Sequence, residues 1–163
     1  MALMKNLDRD MLEKRVEQIH MRYLKGMNCA ERVFLTLYSV IETNIPSDAV
    51  SLLSGFGGGI GGTRDGVCGA VSGGVAAIGL IYGRPKPPDG NRERVSEVSR
   101  DFITQFKSRF GSIVCRELVG DLLLDNNPEC ERRRAERCSQ FTLNAAKICV
   151  NALKRYEKIY AIE

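Results

Sequence analysis

Apolar residues recur every three to four positions along most of this chain, and the recurrence divides it into a series of amphipathic helices. The first such run is Met11, Leu12, Val16, Ile19, Tyr23 and Leu24, with Asp8 and Asp10 as candidate caps and an end near Gly26. Asn28 then caps a second helix whose inward stripe is Ala30, Val33, Phe34, Leu37, Tyr38 and Ile41, stopped by Asn44 and Pro46. A short helical piece follows from Ser47 or Asp48 through Leu53. The next segment, Gly55 to Gly62, contains six glycines in eight residues and predicts neither helix nor strand.

After this loop comes a stretch of small and apolar residues, from Gly66 to Tyr82, which predicts a buried central helix. Gly66, Ala70, Gly73, Gly74 and Ala77 would let neighbouring backbones approach it closely. The segment from Gly66 to Gly83 is uncharged, but its glycines, serine and cysteine keep its hydropathy below that of a good membrane span. Residues Arg84 to Asn91, rich in proline and turn formers, predict an exposed linker. Val95, Val98, Phe102, Ile103, Phe106 and Phe110 then define another amphipathic helix, closed by Gly111. Ser112 predicts the cap of a short turn through Leu118, with Gly120 as its stop. Asn126-Asn127-Pro128 breaks the chain, and Cys138, Phe141, Ala145, Ile148, Ala152 and Tyr156 line one face of a long last helix. No sustained period-two run is present. The expected fold class is therefore all-α, a compact multi-helix bundle with a glycine-rich loop before a buried small-residue helix, in one domain over residues 1–163.

Composition agrees with a folded chain, with 44% hydrophobic and 27% charged residues. The formal charge of +4 is spread among acids, and the densest basic run, Arg132-Arg133-Arg134 with Arg137, is flanked by Glu129, Glu131 and Glu136. That pattern predicts a solvated helix face, and no nucleic-acid partner is expected. The first residues turn quickly to charged ones and offer no signal-peptide core, so a cytoplasmic location and reduced cysteines are the expectation.

One histidine, His20, and no tryptophan leave little for acid–base or Ser-His-Asp chemistry. The glycine loop matches G-x-G-x-x-G at Gly57, Gly59 and Gly62, but no strand precedes it. Consecutive glycines can instead direct several N–H groups at one anion, such as a thiolate or a cluster sulfide, and Gly57, Gly58, Gly59 and Gly69 are the candidates for that role. The alternative is that glycines merely permit tight passage between helices.

The six cysteines carry the remaining chemistry. Cys29, Cys68 and Cys115 all fall at predicted helix starts, where unpaired N–H groups and the helix dipole favour thiolate. Cys68, beside the glycine loop, is expected to be the most perturbed and to have a lowered pKa. Cys138 and Cys149 are eleven residues apart, about 16 Å along a continuous helix, and cannot pair with each other. No C-x-x-C occurs, so any shared site must be assembled from separate helices.

Cys68-Gly69-Ala70-Val71-Ser72-Gly73 reads C-G-A-x-x-G, with Gly55-Phe-Gly-Gly-Gly before it and Cys115-Arg-Glu-Leu-Val-Gly120 and a further cysteine after it. Over roughly Asn28 to Leu153 the chain thus resembles the bacterial C_GCAxxG_C_C family of redox-active proteins. The resemblance implies that Cys29, Cys68, Cys115 and Cys138 are the family's four cysteines, with Cys130 and Cys149 outside the pattern. It implies thiol/disulfide exchange or electron transfer through these four, with an unidentified redox partner. The same four thiolates are the ligand set of an alternative, an iron–sulfur cluster or another soft metal. Members of the family are often encoded near transporters, so a transporter-associated binding or scaffold protein with structural cysteines is a third reading. Self-association stays open.

Overall fold

The computed structural model describes residues 3–4, 8–88 and 92–161. Six α-helices build it: α1 (Arg9–Arg22), α2 (Cys29–Tyr38), α3 (Gly69–Tyr82), α4 (Arg92–Phe110), α5 (Cys115–Val119) and α6 (Pro128–Tyr160). Two 3₁₀ segments, Ser47–Phe56 and Gly120–Leu122, fill the connections. Among the described residues the only sheet is a two-residue antiparallel pair, β1 (Leu3–Met4) with β2 (Ile41–Glu42). The protein is all-α, as its periodicity predicts.

The helix ends follow their local chemistry. Asp8 accepts a hydrogen bond from Met11 N at 2.8 Å and starts α1. Asn28 starts α2 with a capping box, its Oδ1 accepting from Ala30 N (2.8 Å) and Glu31 N (3.0 Å) while Glu31 accepts from Asn28 N (2.9 Å). This second helix is shorter than predicted, ending at Tyr38, because Ile41 leaves it to pair with Met4 and bury there. Gly55 and Phe56 belong to the 3₁₀ segment, so the irregular loop begins only at Gly57.

One start differs more. The small-residue helix begins at Gly69 rather than Gly66, because Val67 bridges to Val114 and Cys68 follows as a non-helical N-cap with ψ of 131°. The last helix begins ten residues before Cys138. Asn127 caps it through Cys130 N at 2.9 Å and Pro128 takes its first position, so the triplet that reads as a break is also a helix start. In the linker, Asp89, Gly90 and Asn91 lie outside the described residues.

Helices α2 and α3 form the tightest pair, and α6 runs against α1, α2, α3 and α4 as a common spine. Glycine makes the α2–α3 approach close: a β-carbon on Gly73 would run into the carbonyl oxygen of Ala30 and lie 3.1 Å from its carbonyl carbon. On the other side of α3, Gly74 receives the Phe102 ring, whose nearest atom is 2.5 Å from where a β-carbon would stand. Among the described residues no helix is long and apolar enough to cross a membrane.

Candidate functional site

The β-bridge between Val67 and Val114, the start of α2 and the third turn of α6 meet beside the glycine loop, and each brings a cysteine. Cys29 is the first residue of α2, Cys68 the N-cap of α3 and Cys115 the first residue of α5, so all three stand at helix starts as predicted. Cys138 comes from within α6. Its thiol lies where it can donate to the sulfur of Cys29; Cys138 also interacts electrostatically with Cys68 and Cys115, and Cys29 with Cys68. Cys29 and Cys138 are partly exposed, whereas Cys68 and Cys115 are buried.

The structure brings the four family-pattern cysteines together and leaves the other two apart. Cys149 is fully buried farther along α6, where its thiol donates to the carbonyl of Gly74 at 3.7 Å. Cys130 occupies the first turn of α6. Burial pushes the Cys149 thiol far above its ordinary value, and nothing offsets it.

Among the four, ionisation is ordered differently from the expectation. Cys29 lies at about 6 against an ordinary 9.0. The chief cause is the Cys138 thiol donating to it; burial opposes, and the Arg32 and Arg64 guanidinium groups add favourable charge. Cys138 is pushed strongly upward, because losing its proton would remove that hydrogen bond and place a second negative charge beside the first. The low member of this pair is Cys29, since both arginines favour it.

Cys68 is the correction. It is raised to about 12, with burial the largest cause. The N–H groups of Ala70 and Val71 pull it down, but they close no capping hydrogen bond to its sulfur, and charge on Cys29 or Cys115 pushes it further up.

All four candidate glycines are in close contact with residues around this site. A β-carbon at Gly57 would lie 2.7 Å from Cβ of Asn28, and one at Gly58 would lie 2.9 Å from Nη1 of Arg64. At Gly59 it would lie 2.8 Å from Cβ of Cys115, and at Gly69 2.9 Å from Cβ of Cys29. The loop spends amides on its own carbonyls: Gly61 N donates to Gly55 O, Gly62 N to Gly57 O, Arg64 N to Gly58 O and Gly66 N to Gly59 O. At the four candidate positions the close contacts are ones that a side chain would fill, which is the tight passage glycine permits.

Sequence reasoning missed the arginines. Arg64 holds a left-handed φ of 67°, costly for a side-chain-bearing residue, and reaches back under the loop until Nη1 stands 3.9 Å from Sγ of Cys115. Its backbone is held by Arg116 N donating to Arg64 O at 2.7 Å, and Arg116 in turn pairs with Asp65 at 2.7 Å. The available signal was one arginine two residues after a run of glycines and four before Cys68. Arg32 is fixed by hydrogen bonds from its guanidinium to Tyr23 O and Leu24 O, both at 2.9 Å.

The single histidine is structural. His20 is buried, and its Nε2 lies 2.8 Å from Oγ1 of Thr142. That hydroxyl already donates toward the carbonyls of Cys138 and Ser139, so His20 donates from Nε2 and its Nδ1 lone pair has no partner. In the basic run, Arg132 pairs with Glu129 and Glu136, and Arg137 with Asp121.

Among the described residues no group of three or more His, Cys, Asp or Glu side chains is gathered so as to hold a metal ion. The cluster alternative for Cys29, Cys68, Cys115 and Cys138 therefore has no ligand cage here from which a step can be derived. No curated protein and no solved structure matches the chain. A family model does match, over residues 27–152, and its description is "Putative redox-active protein (C_GCAxxG_C_C)". That match covers most of the chain and all four clustered cysteines, and the chain belongs to this family.

Proposed function

We propose that the protein is a dithiol–disulfide exchange protein in which Cys29 is the attacking thiolate and Cys138 the resolving thiol. The observation that carries this reading is their juxtaposition: a partly exposed cysteine at a helix start, flanked by Arg32 and Arg64, with a second partly exposed thiol donating to it. Low thiol pKa, exposure and an adjacent resolving cysteine are the features that make a sulfur reactive toward disulfides.

The steps balance as follows. Cys29 thiolate attacks one sulfur of a substrate disulfide; a bond forms between Cys29 and that sulfur, and the other substrate sulfur leaves as thiolate and takes a proton from water. Cys29 is now neutral, so the charge that held the proton on Cys138 is gone. Cys138 loses its proton, attacks Sγ of Cys29, and expels the second substrate thiolate. The protein ends with a Cys29–Cys138 disulfide, oxidised by two electrons, and the substrate is reduced by two. The reverse sequence oxidises a dithiol.

Mass spectrometry of intact protein tests the assignment. After glutathione disulfide treatment, Cys138→Ser should accumulate a mixed disulfide on Cys29, Cys29→Ser should form none there, and the unsubstituted chain should show a Cys29–Cys138 linkage. A linkage that bypasses Cys29, or unchanged exchange in Cys29→Ser, overturns the reading.

A further inference from the structure

The exchange reading uses the two outer cysteines and leaves two buried ones without a task. Cys68 N donates to Ile113 O at 2.7 Å and Cys115 N to Gly66 O at 3.0 Å, on either side of the Val67–Val114 bridge. Cys68 and Cys115 each follow a bridge residue by one position, which makes them diagonal neighbours across the bridge, and charge on Cys115 is felt at Cys68. Such diagonal neighbours lie about 7–8 Å apart, and a disulfide needs Cα atoms within roughly 7 Å. The required approach is small, in an isolated one-pair bridge flanked by Gly66.

The inner pair is also in line with the outer one. Gly69, next to Cys68, lets Cβ of Cys29 approach to 2.9 Å from where its own β-carbon would be, and Gly59 does the same for Cys115 at 2.8 Å. Exposure falls from the partly exposed Cys138 and Cys29 to the buried Cys68 and Cys115, and charge on Cys29 is felt at Cys68.

We propose that Cys68 and Cys115 are a second, buried dithiol that takes over the Cys29–Cys138 disulfide by intramolecular exchange, so that one chain can hold two disulfides. This rests on the outer pair acting as proposed above. Cys68, as thiolate, attacks Sγ of Cys29; the Cys29–Cys68 bond forms as the Cys29–Cys138 bond breaks, and Cys138 leaves and takes up the proton that Cys68 gave. Cys115 then loses its proton and attacks Sγ of Cys68, expelling Cys29 as the thiolate held between Arg32 and Arg64. One proton passes to solvent. The inner pair is oxidised by two electrons and the outer pair reduced by two, with no outside reagent. The regenerated outer pair can then react with a second substrate disulfide.

The direction follows from the leaving groups. A thiolate stabilised in the reduced form makes its disulfide the more oxidising one and leaves faster. Cys29 has that stabilisation, while burial denies it to Cys68. Oxidation therefore runs inward. The same burial makes the transfer slow, since little Cys68 thiolate exists at neutral pH, and its rate should rise about tenfold per pH unit.

The test uses the full chain with Cys130→Ser, which removes the remaining partly exposed thiol. Reduced protein is titrated with glutathione disulfide, quenched with acid, alkylated after unfolding and mapped without reduction. The expected result is Cys29–Cys138 first and, on incubation, a Cys68–Cys115 linkage, with two disulfides per chain at saturation. Cys68→Ala and Cys115→Ala should each stop at one, and Cys149→Ala should still reach two. If the Cys29–Cys138 disulfide forms but Cys68 and Cys115 are always recovered as alkylated thiols, the inner dithiol is refuted and the outer pair stands. If no Cys29–Cys138 disulfide forms, the outer reading falls and the inner one with it.

Discussion

Replacing Cys138 by alanine removes the largest cause of the low Cys29 pKa while leaving Arg32 and Arg64 in place. With the donor gone, burial becomes the leading influence, opposed by Arg32 and Arg64, and should return Cys29 from about 6 toward its ordinary 9.0, a full return being the limit. At that limit the thiolate fraction at pH 7 falls from about nine-tenths to about one-hundredth, roughly 90-fold. A more basic thiolate is intrinsically more nucleophilic, with a Brønsted slope of about 0.4–0.5, which returns about 20-fold across that range. The net loss at pH 7 is only about fourfold, whereas at pH 5 the fractions differ by about 900-fold and the net loss is about 40-fold. The decisive measurement is therefore the pH profile of the second-order rate with a small aromatic disulfide. Its inflection should move from near 6 toward 9 in Cys138→Ala. Cys138→Ser retains a donor and should keep the inflection well below 9. An inflection still near 6 in Cys138→Ala would show that the arginines and the helix start suffice, and the paired-thiol reasoning would fail.

Arg64→Gln should raise the same inflection by less than Cys138→Ala does, because its charge stands behind both the hydrogen bond and Arg32 among the causes; an equal or larger shift would contradict that order. Gly73→Ala should cost about 1–3 kcal/mol in urea unfolding by forcing α3 away from Ala30, while Gly79→Ala, with open space around the new methyl, should be neutral or stabilising by up to about 1 kcal/mol. His20 is lowered from 6.5 to about 4, by burial first and Arg32 second, so the folded state binds fewer protons than the unfolded one. The stability this contributes is complete above pH 6.5 and lost as pH falls to 4, by roughly 3 kcal/mol at about 1.4 kcal/mol per pH unit; urea midpoints at pH 7, 5 and 4 should fall more steeply in the unsubstituted chain than in His20→Gln.

Helix positions were largely legible because their cause is local. The three-to-four spacing of apolar residues and the Asn28–Glu31 box act within one or two turns, and both produced the elements they predicted. The Asn126-Asn127-Pro128 triplet reads as a break followed by the last helix, as found; that Asn127 itself caps that helix by bonding forward to Cys130 is the detail a lone sequence does not show, because the same chemistry can end a helix or begin one. The pairing of Met4 with Ile41 was invisible, since two residues have no period. At the site, the membership of the cluster was legible and its ordering was not. Cys29 owes its low pKa to a thiol from α6, more than a hundred residues later in the chain.

That ordering bears on how far a helix start predicts a reactive cysteine. At Cys29 the two amides best placed to help, Ala30 N and Glu31 N, are already given to Asn28, and the Glu31 carboxylate in the first turn opposes further negative charge. At Cys68 the amides of Ala70 and Val71 do favour the sulfur, and no side chain competes as a cap, yet its pKa rises to about 12. A helix terminus contributes about 0.3–1 kcal/mol, at most about 2. Burial of a thiolate shifts its pKa by up to 3–5, at about 1.4 kcal/mol for each. The terminus is therefore the weaker influence at both positions. What separates the two cysteines is a partner: Cys29 has a thiol donor and two arginines, and Cys68 has neighbouring sulfurs whose charge can only oppose its own. In this fold the glycines bring those sulfurs together, and the sulfur that becomes reactive is the one that also meets Cys138.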